Sequence, residues 1–243
     1  MRKNGRSSIE MRPIRITPHY TSNPTGSVLI ETGDTRVLCT TSVDDGVPGW
    51  MRSQRHSRGW LTAEYSMLPG SSPERVRRER SHTSGRTQEI QRLIGRSLRG
   101  VVDLSLCPDK TFMIDCDVLQ ADAGTRTAAI TGAWISLKLA VDKLMKAGRL
   151  QHNPIKNQVA AVGVALKNGE LRVDPDYTED SEADLDMNIV MCPGMALMEI
   201  QGTGEGAVFN KEQVSQIIDA AGGALEPIYE LQQLAADGEC VES

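Results

Sequence analysis

Hydrophobic and polar positions along the chain change period several times, and each change predicts an element. Ser27–Glu31 and Thr35–Val43 are rich in β-branched residues and flank Thr32-Gly33-Asp34, the pattern of a hairpin. Gly59–Ser66 reads as a further strand, followed by Pro69–Ser84, a polar Pro/Gly/Ser/Arg stretch without periodicity that predicts a long loop. Ile90, Leu93, Ile94, Leu98 and Val101 have helical spacing and predict a helix over Thr87–Val102, with Arg92, Arg96 and Arg99 on its outer face. In Thr111–Leu119 the period returns to two: Phe112, Ile114, Cys116 and Val118 share one face, Asp115 and Asp117 the other. Ile130, Trp134, Leu137, Val141 and Leu144 mark one face of an amphipathic helix over Arg126–Ala147. Strands are then predicted at Gln158–Leu166, Leu171–Val173 after an Asn168-Gly169 turn, Asp184–Cys192 and Ala196–Gln201, with Gly202–Gly206 as a turn. The C-terminal region is helical from an Asn210-x-x-Gln213 capping box, with a break at Gly222-Gly223. Residues 236–243 are expected to fray. No repeat or linker divides the pattern, so residues 1–243 are expected to form one α+β domain.

Composition narrows the class. The chain has 39% hydrophobic and 24% charged residues, and no apolar run approaches the roughly 20 residues that span a bilayer. The N-terminal MRKNGRSSIEMRPIRI lacks a signal-peptide apolar core. Five scattered cysteines (Cys39, Cys107, Cys116, Cys192, Cys240) form no CxxC pair, which fits reduced thiols of a cytoplasmic protein and no zinc site. Charge is unevenly spread. Residues 51–100 hold eleven Arg, no Lys and four Glu, a local net of +7 against −5 for the whole chain. Arginine grips phosphate bidentately, so this block favours a polyanionic ligand over a merely solvated basic face.

Two turns carry the candidate chemistry. Gly124-Thr125-Arg126 opens the second helix, where the first backbone N–H groups lack intrahelical acceptors and the dipole is positive. Gly124 admits a close approach, Thr125 adds a hydroxyl and Arg126 a guanidinium fork, together an oxyanion site suited to phosphate. Ser84-Gly85-Arg86-Thr87 repeats the pattern at the mouth of the first helix, so Arg86 and Arg126 are placed to clamp one phosphate. The segment Tyr177–Met191 concentrates five carboxylates, Glu179, Asp180, Glu182, Asp184 and Asp186. Asp184, Asp186 and Asn188 share a strand face, the alternation that a soluble edge strand also shows. Six strand steps span about 20 Å, so Asp180 and Asp186 serve one site only if Ser181–Asp184 turns back. Such a pair suits Mg²⁺, which takes one or two carboxylates with water and phosphate oxygens. Asp115 and Asp117 are expected to hold a guanidinium structurally, and Asp122 to cap the turn. GxxxxGK[ST] does not occur, which removes a P-loop nucleotidase.

These blocks resemble the ribonuclease PH family of phosphate-dependent 3′→5′ exoribonucleases. They are GDTRVLCTTSVDDGVP at 33–48, GWLTAEYSMLP at 59–69, GRTQEIQRLIGRSLR at 85–99, DCDVLQADAGTRTAAITGA at 115–133, EDSEADLDMNIVM at 179–191 and EIQGTGEG at 199–206. The resemblance implies an α+β fold like the second domain of ribosomal protein S5, in a homohexameric ring built as a trimer of dimers. By position it implies phosphate binding at Arg86, Gly124, Thr125 and Arg126, and metal binding and catalysis at Asp180 and Asp186. It places RNA guidance on the arginine loop Arg75, Arg77, Arg78 and Arg80, to which the outward Arg92 and Arg99 add basic surface. Mg²⁺ and inorganic phosphate are the expected cofactor and co-substrate, and the 3′ ends of precursor tRNA and other RNA the expected substrates. The chain departs from the family at Ala123 (usually Gly), Leu185 (usually Thr) and Gly70 (usually Arg). Two rivals are a non-catalytic RNA-binding ring subunit of an exosome-like assembly and a hydrolytic nuclease using the acidic cluster alone.

Overall fold

The computed structural model describes residues 2, 5–52, 58–79, 83–204 and 208–243. The chain runs through β1 (Ile14–Pro18), β2 (Gly26–Thr32), β3 (Thr35–Asp45), β4 (Trp60–Met67), α1 (Gly85–Gly100), β5 (Lys110–Gln120) and α2 (Thr125–Lys146). It continues through β6 (Ala160–Lys167), β7 (Glu170–Val173), α3 (Tyr177–Ser181), β8 (Leu185–Cys192), β9 (Ala196–Gly204), α4 (Lys211–Ala236) and β10 (Val241–Glu242). The fold is α+β, with two sheets packed with helices.

The larger sheet has the order β10-β1-β2-β3-β5-β4 and is antiparallel except for β4 beside β5. That parallel pair needs a crossover, which α1 supplies; this is the expected βαβ unit. Its core face is Val28, Ile30, Val37, Cys39, Leu61, Phe112, Ile114 and Val118, all buried as the period-two pattern requires. The smaller sheet, β7-β6-β8-β9, is antiparallel throughout.

α2 lies between the sheets. The amphipathic stripe read from the sequence understates its burial, since 16 of its 22 residues are buried. Small residues make this possible. A Cβ at Gly132 would lie 2.8 Å from Cys39 Sγ and from Ile30 Cγ2, and one at Gly26 would lie 2.0 Å from the Ser136 carbonyl. Polar atoms on this central helix are satisfied internally: Thr41 and Ser136 hydroxyls pair at 2.8 Å, and Thr131 Oγ1 accepts from the Ala161 N–H.

Three expectations fail here. The C-terminal helix does not break at Gly222-Gly223 but runs unbroken through them and Pro227, opened by the expected Asn210/Gln213 capping box. Met195 packs so closely on Gly222 that a Cβ would meet its Cε at 2.6 Å, and Ile217, Ala221, Leu225 and Ile228 are buried. That packing outweighs low local propensity. The tail 236–243 does not fray: β10 pairs with β1, and Ser243 N–H donates to the Ile14 carbonyl at 2.9 Å. Gly202–Gly204 end β9 rather than forming a turn, because Gly202 packs on Met187, where a Cβ would lie 2.7 Å from Cγ; the rest of that stretch lies outside the described residues.

Candidate active site

The turn between β5 and α2 is left-handed at two successive residues, Ala123 (φ 54°) and Gly124 (φ 64°). Thr35 holds it: its Oγ1 donates to the Ala123 carbonyl at 2.6 Å and accepts from the Asp122 N–H at 3.0 Å. Arg12 lies behind it. Its guanidinium reaches the Asp122 carbonyl and carboxylate and makes a bidentate pair with buried Asp174 at 2.9 and 2.7 Å. A Cβ on Gly124 would stand 3.2 Å from Arg12 Nη2 and 3.3 Å from Thr127 Oγ1. Glycine is therefore favoured here both by backbone conformation and by space. The turn delivers Thr125 and Arg126 to the first turn of α2, facing a cleft of about 1300 Å³.

The first helix mouth lines the same cleft. Ser84 caps α1 by accepting from the Thr87 N–H, and Arg86 projects from the first turn. Arg126 lies 3.4 Å from Glu89 Oε1, one turn beyond Arg86. Below them Tyr65 on β4 is buried, with its hydroxyl 2.8 Å from Thr125 Oγ1. The two Gly-Arg turns thus face one space.

The opposite wall is the acidic arm. Reversal of the chain begins earlier than the sequence argument required, in the short helix α3, capped by a reciprocal Asp176/Glu179 box. Glu179 is buried and pairs with Arg2 at 2.8 and 2.6 Å, so it is structural. Asp122 does not cap its own turn; it bridges Arg12 to the Tyr177 N–H at 3.1 Å and so ties α3 to the Gly124 turn. Asp180 from α3 and Asp186 from β8 both line the cleft, and Asn188 Nδ2 lies 3.4 Å from Asp186 Oδ2. Asp184 falls just before the strand and accepts from the Asn168 N–H at 2.6 Å, fastening the β6–β7 turn instead of facing the cleft with Asp186 and Asn188. Glu182 pairs with Lys167. Five clustered carboxylates therefore divide into two that face the cleft and three with ties outside it.

Asp115 and Asp117 hold no guanidinium among the described residues. Parallel register sets Asp115 beside Glu64, and burial, then Glu64, then Asp117 push the Asp115 carboxyl above its usual range. Asp117 is raised by burial and Glu64 in the same way.

Arg75, Arg77 and Arg78 are exposed on the loop after β4, whose Ser72, Pro73 and Glu74 line the cleft; Arg80 lies outside the described residues. Arg92 is exposed on α1. Arg99 sits over Trp60, 5.4 Å from the ring centroid, and donates to the Leu61 carbonyl at 3.0 Å. Among the described residues no group of three or more His, Cys, Asp or Glu is arranged to hold a metal ion. Two cleft carboxylates with all-oxygen donors still fit Mg²⁺, a hard ion that completes its shell with water and substrate phosphate.

Sequence reasoning missed Arg2, Arg12, Tyr65 and Asp174. The arginines were legible only as basic residues near the N-terminus, and nothing local marks Asp174, held at φ 48° by Arg12 from 162 positions away.

Comparison with known proteins agrees over nearly the whole chain. The 3′ exoribonuclease family model for domain 1 matches residues 10–141, and that for domain 2 matches residues 157–224. Ribonuclease PH of Mycolicibacterium smegmatis is 52% identical over 239 residues, covering 97% of this chain and 92% of that protein. Ribonuclease PH of Prochlorococcus marinus is 50% identical over 234 residues, covering 96% and 95%. Rice Rrp46 shares the fold at TM-score 0.79 and 18% identity, covering 97% of this chain and 100% of that one. A chain of the Archaeoglobus fulgidus exosome with RNA bound to the active site does so at 0.78 and 21%, covering 94% and 91%. With both domain models matched and relatives half identical end to end, the chain belongs to the ribonuclease PH group of the 3′ exoribonuclease family.

Proposed function

We propose that the cleft between the two arginine-bearing helix mouths and the acidic arm is where this phosphorolytic 3′→5′ exoribonuclease acts. The observation that supports this reading is convergence: Arg86, Gly124, Thr125 and Arg126 line one space with Asp180 and Asp186. Inorganic phosphate held by the first four attacks the terminal phosphorus of an RNA 3′ end. A P–O bond to the incoming phosphate forms, the P–O3′ bond breaks, and a nucleoside diphosphate leaves. Hydrogen phosphate brings one proton, and the departing 3′-oxygen gains one, so the reaction needs no net acid or base. Asp180 or Asp186 relays that proton. The main demand is to hold two repelling anions in line, which two guanidinium groups and a helix dipole answer. Mg²⁺ at Asp180 and Asp186, when bound, supplies charge neutralisation on the phosphate oxygens.

RNA upstream of the scissile bond follows Arg75, Arg77, Arg78 and Arg92, with precursor tRNA 3′ tails and ribosomal RNA as substrates; Arg99, committed to Trp60 and Leu61, braces this surface and adds to its charge. The working form is a homohexamer. Exposed Met195, Leu197 and Ile200 on or beside edge strand β9, with Val208 and Phe209 beyond it, suit burial against a second copy. The compartment is the cytoplasm; all five cysteines are unbonded, and no helix of the described residues is long and apolar enough to cross a membrane.

Chromatography of the nucleotides released from an oligoribonucleotide, with Mg²⁺ and with or without phosphate, tests the reading. Nucleoside diphosphates formed only with phosphate are expected. Monophosphates without phosphate would establish a hydrolase, and binding without degradation a scaffold subunit.

A further inference from the structure

Tyr65 carries a hydroxyl that packing alone does not require. β4 sends Leu61, Ala63 and Tyr65 into the core in alternation, and a phenylalanine at the third position would fill the same space without burying a polar atom. The side chain is 3% exposed, and its oxygen lies 2.8 Å from Thr125 Oγ1. Thr125 is the first residue of α2 and lines the cleft with Arg86 and Arg126. Burial raises the phenol's pKa, while the Thr125 hydrogen bond and the charges of Arg86 and Arg126 pull against it, so the proton is retained at neutral pH.

We propose that Tyr65 is a positioning residue for the attacking phosphate: its O–H donates to Thr125 Oγ1, which aims the Thr125 proton into the cleft for donation to a phosphate oxygen. This rests on the reading of Gly124–Arg126 as the phosphate site. Each hydroxyl has one proton to give. In the opposite arrangement Thr125 would donate to Tyr65, and the Tyr65 proton would need a second acceptor; its side chain makes no other hydrogen bond among the described residues. Thr125 Oγ1 would then turn lone pairs toward an incoming anion. The phenol is also the more acidic hydroxyl and the better donor, and a donor chain ending on an anion is polarised in one direction along its length.

The test is steady-state phosphorolysis on the full-length protein, with phosphate varied at saturating RNA and RNA varied at saturating phosphate, and with thermal melts of each variant. Tyr65→Phe raises the phosphate KM about 5–10-fold, the worth of one oriented hydrogen bond, and leaves kcat at saturating phosphate within about twofold. Thr125→Ala raises KM as well, and adding Tyr65→Phe to it raises KM no further, because the relay is already cut. Arg126→Ala reports on the site itself. If Arg126→Ala raises the phosphate KM and Tyr65→Phe does not, the Tyr65 assignment falls and the phosphate site stands. If Arg126→Ala leaves KM unmoved, the site reading falls first. Multiplying effects in the double variant, or a Tyr65→Phe protein with a lower melting temperature and equal losses in kcat and in RNA KM, would overturn the relay in favour of a packing role.

Discussion

Gly124→Ala isolates what the phosphate turn demands of the backbone. Gly124 sits at φ 64°, ψ 18°, a region where a side chain costs roughly 1–2 kcal/mol. The new Cβ would also lie 3.2 Å from Arg12 Nη2 and 3.3 Å from Thr127 Oγ1. Arg12 cannot withdraw cheaply, since Asp174 holds it at 2.9 and 2.7 Å and Asp122 holds its other edge. The turn must therefore move instead, and the total comes to about 2–3 kcal/mol once contact strain of about 1 kcal/mol is added. For a chain of this size that is a fall in Tm of about 4–12 °C. Thr125 and Arg126 move with the turn, so the phosphate KM rises at least about tenfold, the equivalent of 1.4 kcal/mol. Ala123→Gly supplies the contrast: it relieves a left-handed alanine at φ 54° but frees the unfolded chain, and the two nearly cancel. Melting by fluorimetry and phosphate titration of oligoribonucleotide degradation read both. A Gly124→Ala protein with wild-type Tm and wild-type phosphate KM would refute the argument.

Two further outcomes follow from the charges behind the site. Arg2→Ala leaves Glu179 buried with Arg6 and Arg172, at 3.8 and 3.7 Å, as its remaining cations among the described residues, and is expected to cost about 3 kcal/mol, or about 6–12 °C in Tm. Burial raises the Glu179 carboxyl, but the Arg2 hydrogen bond and the Asp176 N–H outweigh it and hold the folded pKa below the unfolded value. Its contribution is therefore present above about pH 4.3 and lost as pH falls through the folded pKa, so the Tm gap between wild type and variant must close in acid; a constant gap from neutral pH to pH 3 would contradict this. Asp117→Asn works in the opposite sense. Burial and Glu64 raise the Asp117 pKa on folding, so its ionised form opposes folding at neutral pH. The variant is expected to melt a few degrees higher at pH 7 and no higher below about pH 3.9, where both states carry a proton. An unchanged or lower Tm at pH 7 would show that Asp117 has a partner that needs its charge.

The parts of the fold that a single segment determines were legible in the sequence. Alternation places Phe112, Ile114, Cys116 and Val118 on the core face, and the helix mouths at Ser84 and Gly124 fall where the Gly-Arg-Thr and Gly-Thr-Arg-Thr turns predict them. The family resemblance pairs Asp180 with Asp186 on the condition that Ser181–Asp184 turns back, and the chain does so: Ala183 N–H donates to the Asp180 carbonyl as α3 ends, and both carboxylates line the cleft. What failed depends on distant segments. The predicted break at Gly222-Gly223 is a correct reading of local propensity, overruled by Met195 and by the burial of Ile217 and Leu225. β1 and β10 are five and two residues long and stabilise each other across the length of the chain, which no window of sequence reports. Asp115 and Asp117 meet no guanidinium among the described residues, because parallel register sets Asp115 opposite Glu64 and Asp117 opposite Ser66, and register is a property of two strands.

The same distinction explains how two halves of a site from different regions of the chain keep their spacing. The phosphate turn belongs to the region matched by the first family model, and the acidic arm to the region matched by the second. One arginine couples them. Arg12 binds Asp122, beside the turn, and Asp174, three residues before α3 begins; Asp122 in turn accepts from the Tyr177 N–H that opens α3. Arg2 adds a second tie by holding Glu179, next to Asp180. The turn and the start of α3 are therefore joined by charged, largely buried hydrogen bonds rather than by a flexible linker alone. In the proposed mechanism an attacking anion on one wall must stand in line with a leaving oxygen on the other, and the groups that hold the two walls at their spacing would touch neither.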